Sequence, residues 1–172
     1  MFVERFLHIK LALLALVFLL SSCATYIKGD LATSRIATVD DTRARFEQVA
    51  TKERRGEILI SGELCTIDYS YDISGIGTEI APFITAFTLG IVPLYSTNNA
   101  DVELVVKRQG VVVLKETLDS RFHTTYGWLA INAAEKNASE DLMDWHEGDS
   151  MEGHMIKTLD ERVVRYIRRK LL

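Results

Sequence analysis

Apolar and polar residues alternate through Cys65, Ile67, Tyr69, Tyr71 and Ile73 against Thr66, Asp68, Ser70 and Asp72, the two-residue period of a half-buried strand. The pattern predicts one long strand from Glu57 to Ile73, bent near Gly62, where the apolar residues change face. A second strand over Asp101 to Lys107 and a third starting at Val111 flank Gln109-Gly110, a turn dipeptide between β-branched runs, and so predict an antiparallel hairpin. The third run extends to Tyr126, because Phe122, Thr124, Tyr126 and Trp128 share one face while Arg121, His123 and Thr125 share the other.

Elsewhere the period is helical. From Asp40 to Arg55 the pattern predicts a helix with Asp40 or Asp41 as N-cap and Ala44, Phe46 and Val49 turned inward. Trp128, Ile131, Ala138, Leu142 and Trp145 recur at helical spacings, with Ser139 placed to cap a second segment. Gly148 and Gly153 bracket a turn, and a final helix to about Lys170 aligns Ile156, Leu159, Val163, Ile167 and Leu171 in one stripe. Strands first and helices last predict an α+β fold: an antiparallel sheet of about three long strands covered by C-terminal helices.

The N-terminal segment reads as an address. Arg5 and Lys10 precede the uncharged apolar run Leu11 to Leu20, which is followed by small residues at a cleavage point, the layout of a signal peptide. The run is shorter than the roughly 20 apolar residues of a permanent span. Leu20-Ser21-Ser22-Cys23 resembles the lipobox of bacterial lipoproteins: an apolar residue, two small residues, then the cysteine. The resemblance implies a glyceride on the Cys23 thiol, cleavage just before it and acylation of the new amino group. Several acyl chains hold a protein firmly to a membrane where one gives only marginal attachment. Ala24, rather than the aspartate of the inner-membrane retention signal, implies by the same resemblance the periplasmic leaflet of the outer membrane. An ordinary secretory signal cut near Ala24 is the plainer alternative.

These segments divide the chain into a signal peptide over 1–22, a lipidated tether over 23–38 that shows no clear periodicity, and a single α+β periplasmic domain over 39–172. Composition agrees with one packed core, at 48% apolar and 26% charged residues. The net charge of -4 lacks the basic excess of a nucleic-acid binder. Once Cys23 is acylated, Cys65 has no thiol partner within the chain, and its place on the apolar face of a strand reads as a buried structural thiol.

Ile80 to Tyr95 carries no charge and contains both prolines, Pro82 and Pro93. Its apolar residues serve either the core or an exposed partner surface, with Phe83, Phe87 and Leu94 as candidate contacts. Thr88-Leu89-Gly90-Ile91-Val92-Pro93, then Asn98-Asn99 and the valine-rich hairpin, is similar to a pattern in small envelope lipoproteins over about Thr78 to Ile131. That likeness implies a shared fold, no activity and no site residue beyond Cys23.

Catalytic signals are sparse. Gly75-Ile76-Gly77 has Ile80 where a dinucleotide fingerprint needs its third glycine, and the sequence holds no nucleophile elbow, zinc helix motif or P-loop. His123, His146 and His154 lack the i, i+4 spacing of helical zinc sites. Asp141, Asp144, His146, Glu147, Asp149, Glu152 and His154 form an acidic and imidazole-rich stretch that offers ligands to a divalent metal, though without a recognisable ligand pattern, and solvated helix ends and a turn explain the same residues. In the last helix Arg162, Arg165, Arg168, Arg169 and Lys170 complement the dipole; Arg165 and Arg169 are the candidate contacts to anionic lipid.

The sequence therefore points to a lipid-anchored, non-enzymatic envelope protein, without catalytic residues, metal or cofactor beyond the covalent lipid, that binds another envelope protein. Two alternatives stand beside it. One is a hydrolase of peptidoglycan or another envelope polymer, using acids such as Asp68, Asp72 or Glu79. The other is a small lipid carrier whose apolar segment lines a pocket.

Overall fold

The computed structural model describes residues 23–32, 44–75, 94–126 and 150–172. They form six strands, β1 (Cys23–Gly29), β2 (Arg45–Ala50), β3 (Glu53–Ile60), β4 (Glu63–Gly75), β5 (Leu94–Arg108) and β6 (Val111–Tyr126), and one helix, α1 (Met151–Leu171). The strands make a single sheet in the order β1-β6-β5-β4-β3-β2. Pairing is antiparallel from β2 through β5.

The expectation of about three long strands is corrected to six among the described residues. The run from Glu57 to Ile73 is not one bent strand: the chain reverses at Ser61-Gly62, whose φ values are 52° and 83°. Two consecutive left-handed residues give a two-residue hairpin turn that matches the twist of the strands it joins, and serine before glycine is a turn signal. In this register Ile60 opposes Glu63 and Ile58 opposes Cys65, so inward positions pass from even to odd numbers across the turn. The change of face that looked like a bend is the reversal itself. Gln109-Gly110, with φ of 51° and 81°, makes the second such turn, as the sequence predicts.

The helix expected from Asp40 to Arg55 is also overturned where it is described, since Arg45–Ala50 is β2 and Glu53 opens β3. Lys52, at φ 62°, turns the chain between them. Arg45 lies opposite Glu57 and Glu47 opposite Arg55, so the charges that decorate a helix just as well are cross-strand neighbours here. Cys23–Gly29, the opening of the stretch read as a tether, is strand β1.

The chain divides into two compact units. The larger contains, among described residues, 27–32, 44–75, 98–122 and 150–172. One sheet face there is apolar, with Ile67, Val102, Leu104, Val106 and Phe122 buried under Leu159, Val163, Val164 and Ile167 of α1. Each such side chain contributes about 1.5–3 kcal/mol relative to exposure. The final stripe falls as predicted at Leu159, Val163 and Ile167, with Ile156 and Leu171 partly buried beside them. Gly153 does not close a turn before the helix: α1 starts at Met151, capped by Ser150, whose side-chain oxygen accepts from the Gly153 N–H at 3.1 Å. The helical segments expected between Trp128 and Trp145 lie outside the described residues.

The smaller unit contains, among described residues, 23–26, 94–97 and 123–126. Its buried positions are rich in hydroxyls. Thr25 and Thr124 share a hydrogen bond at 3.0 Å, and Thr125 donates to the Ala24 carbonyl at 3.2 Å. The His123 ring stacks on Tyr26 at 5.4 Å between centroids, with Thr97 Oγ1 3.2 Å from its Nδ1.

Candidate functional site

In the larger unit, α1 is fastened to the sheet by two polar clusters. Arg54 Nε donates to Asp160 Oδ1 at 3.2 Å, its second nitrogen reaches Oδ2, and the Tyr69 hydroxyl donates to Oδ1 at 2.5 Å. Burial pushes the Tyr69 hydroxyl well above its ordinary pKa, and the neighbouring Asp160 carboxylate adds to the shift. At the other end of α1, Glu116 accepts from Tyr166 and, at 3.2 Å, from Lys170. Both clusters join elements with complementary partners, and Arg54 and Tyr69 of the first also line a shallow concavity of about 230 Å³.

The sheet face away from α1 is a lattice of charges. Asp68 on β4 accepts from Arg55 at 2.6 Å and from Lys107 at 2.9 Å. Burial alone raises its pKa, but the two cationic donors outweigh it and hold the carboxyl below its ordinary value. Asp72, also on β4, pairs with Lys52 at 2.5 Å. Asp68 is held by its two cationic donors in its ionised form, a setting that disfavours the protonated form a general acid requires. Glu79, the third candidate acid, lies outside the described residues.

A concavity of about 610 Å³ opens at the β2–β3 margin. It lies along β3 on the far side of the Arg45–Glu57 pair, at Ile58 and Leu59. Gly56 lets β2 come close, since a Cβ there would lie 2.6 Å from Phe46 Cδ1. Phe46 in turn packs edge-on against Tyr69 at 5.5 Å. The apolar floor carries Ile58 and the cross-strand pair Leu59 and Leu64, and the rim is of mixed charge, with Arg45, Arg55 and Arg168 of α1 beside Glu47 and Glu57. Leu59 is 65% and Leu64 54% exposed, unusual for adjacent leucines on a sheet. Val111 and Val112 are exposed beside the second hairpin turn, which Arg108 enters after pairing with Cys65 next to Leu64.

Most residues singled out by sequence are not gathered here. Phe83 and Phe87 lie outside the described residues, and Leu94 opens β5, half-buried in the smaller unit. Arg169 is exposed with its guanidinium 5.0 Å from the Tyr166 ring centre, and Arg165 is half-exposed. Of the basic patch it is Arg168 that reaches the groove. Of the acidic and histidine stretch, 141–149 lies outside the description, while Glu152 and buried His154 sit on α1. Among the described residues no group of three His, Cys, Asp or Glu could hold a metal, and no helix is long and apolar enough to cross a membrane. Cys65 is fully buried with a free thiol. The leucine pair was readable only as two apolar residues out of phase with the strand pattern on either side of Ser61-Gly62. No protein family, curated protein or solved structure matches the chain.

Proposed function

We propose that this is a lipid-anchored envelope protein, attached through Cys23 to the periplasmic leaflet of the outer membrane, that acts without catalysis by binding another envelope protein. The binding surface in this reading is the β2–β3 groove. The observation that carries it is the meeting of exposed Leu59 and Leu64 with Arg45, Arg55 and Arg168 in one concavity. Exposed apolar side chains of this size gain free energy when covered, and the charges at the rim select what covers them. The matching ligand is a protein segment that presents an apolar side chain flanked by polar groups that complement a rim of both charges. Anchoring confines the protein to the surface where such partners are held, so a groove of modest affinity suffices.

Photocrosslinking in living cells tests this directly, with probes at Leu59 and Leu64 and a control at Thr117, exposed on β6. A discrete protein adduct from both leucine positions and none from the control is the expected outcome. Lipid adducts alone, or no adduct in protein that still folds, overturn it.

A further inference from the structure

We propose that β2 is a self-pairing edge through which two copies of this chain associate, antiparallel, about a two-fold axis at Phe46. β2 closes one side of the sheet, and among the described residues nothing pairs with its outer edge. An open edge offers unpaired backbone donors and acceptors as a template for another strand, and proteins limit such pairing with short strands, charges and bulges. β2 is short, carries Arg45 and Glu47 and has a bulge after Gln48, so only a strand whose charges match those two is accepted.

The charges on β2 select the occupant. Arg45 and Glu47 are exposed and two residues apart, hence on the same sheet face. When two β2 strands run antiparallel about Phe46, each Arg45 opposes the Glu47 of the other copy. One strand thus supplies both halves of two symmetric opposite-charge pairs, the condition for an isologous interface. The other edge strand, β1, carries a single charge, Lys28, and offers no such self-complementarity. The register irregularity between Gln48 and Ala50 ends regular pairing after Gln48. The resulting interface is short and the association weak in dilute solution; confinement to a membrane, which rests on the lipid-anchor reading, raises the local concentration that it requires.

The test uses two differently tagged copies of the full chain made together, fixed with formaldehyde in the membrane, solubilised and captured through one tag. The native chain captures itself. R45E paired with R45E, and E47R paired with E47R, each set like charges opposite and lower capture about tenfold. R45E paired with E47R restores it, because each variant then faces its complement. A purely intrachain role for these residues, through Glu57 and Arg55, predicts no such restoration. Absence of native self-capture, undiminished capture in the single variants, or failure of the mixed pair to recover each overturns the proposal. Should either charge variant fail to fold, R45C made with E47C takes its place: mild oxidation must give a disulfide-linked pair of the two tags, and its absence overturns the proposal as well. Loss of adducts from Leu59 and Leu64 would leave these outcomes unchanged, and palmitate labelling of the native chain in the same cells separates failure of the anchor reading from failure of the self-pairing.

Discussion

At Asp68 two cations from neighbouring strands converge on one carboxylate, Arg55 from β3 and Lys107 from β5. The carboxyl is held below its ordinary pKa, so near pH 4 the folded chain binds fewer protons there than the unfolded chain does. The stability it contributes is complete above the ordinary aspartate value of about 3.9 and is lost as pH falls through the lower folded value. Asp68→Asn should therefore cost about 0.5–1.5 kcal/mol at pH 7, a range set by the partial exposure of both cationic partners. The gap between variant and native protein should be constant near neutral pH and narrow only as pH falls below about 3.9. Urea unfolding at several pH values measures this; a gap independent of pH would show that the ion pairs contribute nothing specific. Asp160, deeper and bonded to Arg54 and Tyr69, serves a different end: it joins the middle of α1 to the sheet, and the three groups satisfy one another.

At the scale of elements, the β2–β3 hairpin depends on close approach. Phe46 lies across Gly56, and any Cβ at that position meets its ring at 2.6 Å. Gly56→Ala forces Phe46 off Tyr69 or parts the strands, and should destabilise by about 1–3 kcal/mol, the ordinary cost of overfilling a packed site. Thermal or urea unfolding measures the loss, and Phe46→Leu in the same background should recover part of it; a neutral Gly56→Ala would mean that the approach is slack. This hairpin is also where sequence reading failed. Ala44, Phe46 and Val49 satisfy a helical spacing as readily as a strand one, and what decides between them is the pairing of Arg45 with Glu57 and Glu47 with Arg55, a register that no local pattern contains. The second hairpin was legible because Gln109-Gly110 stands between two long β-branched runs. Ser61-Gly62 carried a comparable signal but was read as a bend, since the uninterrupted apolar pattern on both sides suggested one continuous strand. The final helix was legible because its stripe persists for four turns and is the condition of its burial. The groove was not: Leu59, Leu64 and Arg168 are distant in the chain and meet only through the hairpin and the packing of α1.

At the scale of the whole molecule, the proposed address and the proposed site involve different residues, and this allows them to be separated experimentally. In the proposed reading Cys23 supplies the membrane attachment while the groove of the larger unit supplies recognition. Within that unit the chain arriving from Cys23 enters through Ile27, and Leu31 N–H is held by Ser120 at 3.0 Å, eight residues along β6 from Val112 and so about 26 Å from the exposed valines at that strand's start. Cys23→Ser removes the thiol that a glyceride requires. It should abolish metabolic labelling with palmitate and leave the signal peptide uncleaved, while urea unfolding of the detergent-solubilised chain changes by less than about 0.5 kcal/mol, as expected of a substitution outside the packed core of the larger unit. Labelling that persists in Cys23→Ser would place the lipid elsewhere. A native chain that takes up no palmitate, and is cut near Ala24, would make the protein a freely diffusing periplasmic one. The groove would then have to bind tightly enough to act without the concentrating effect of the membrane.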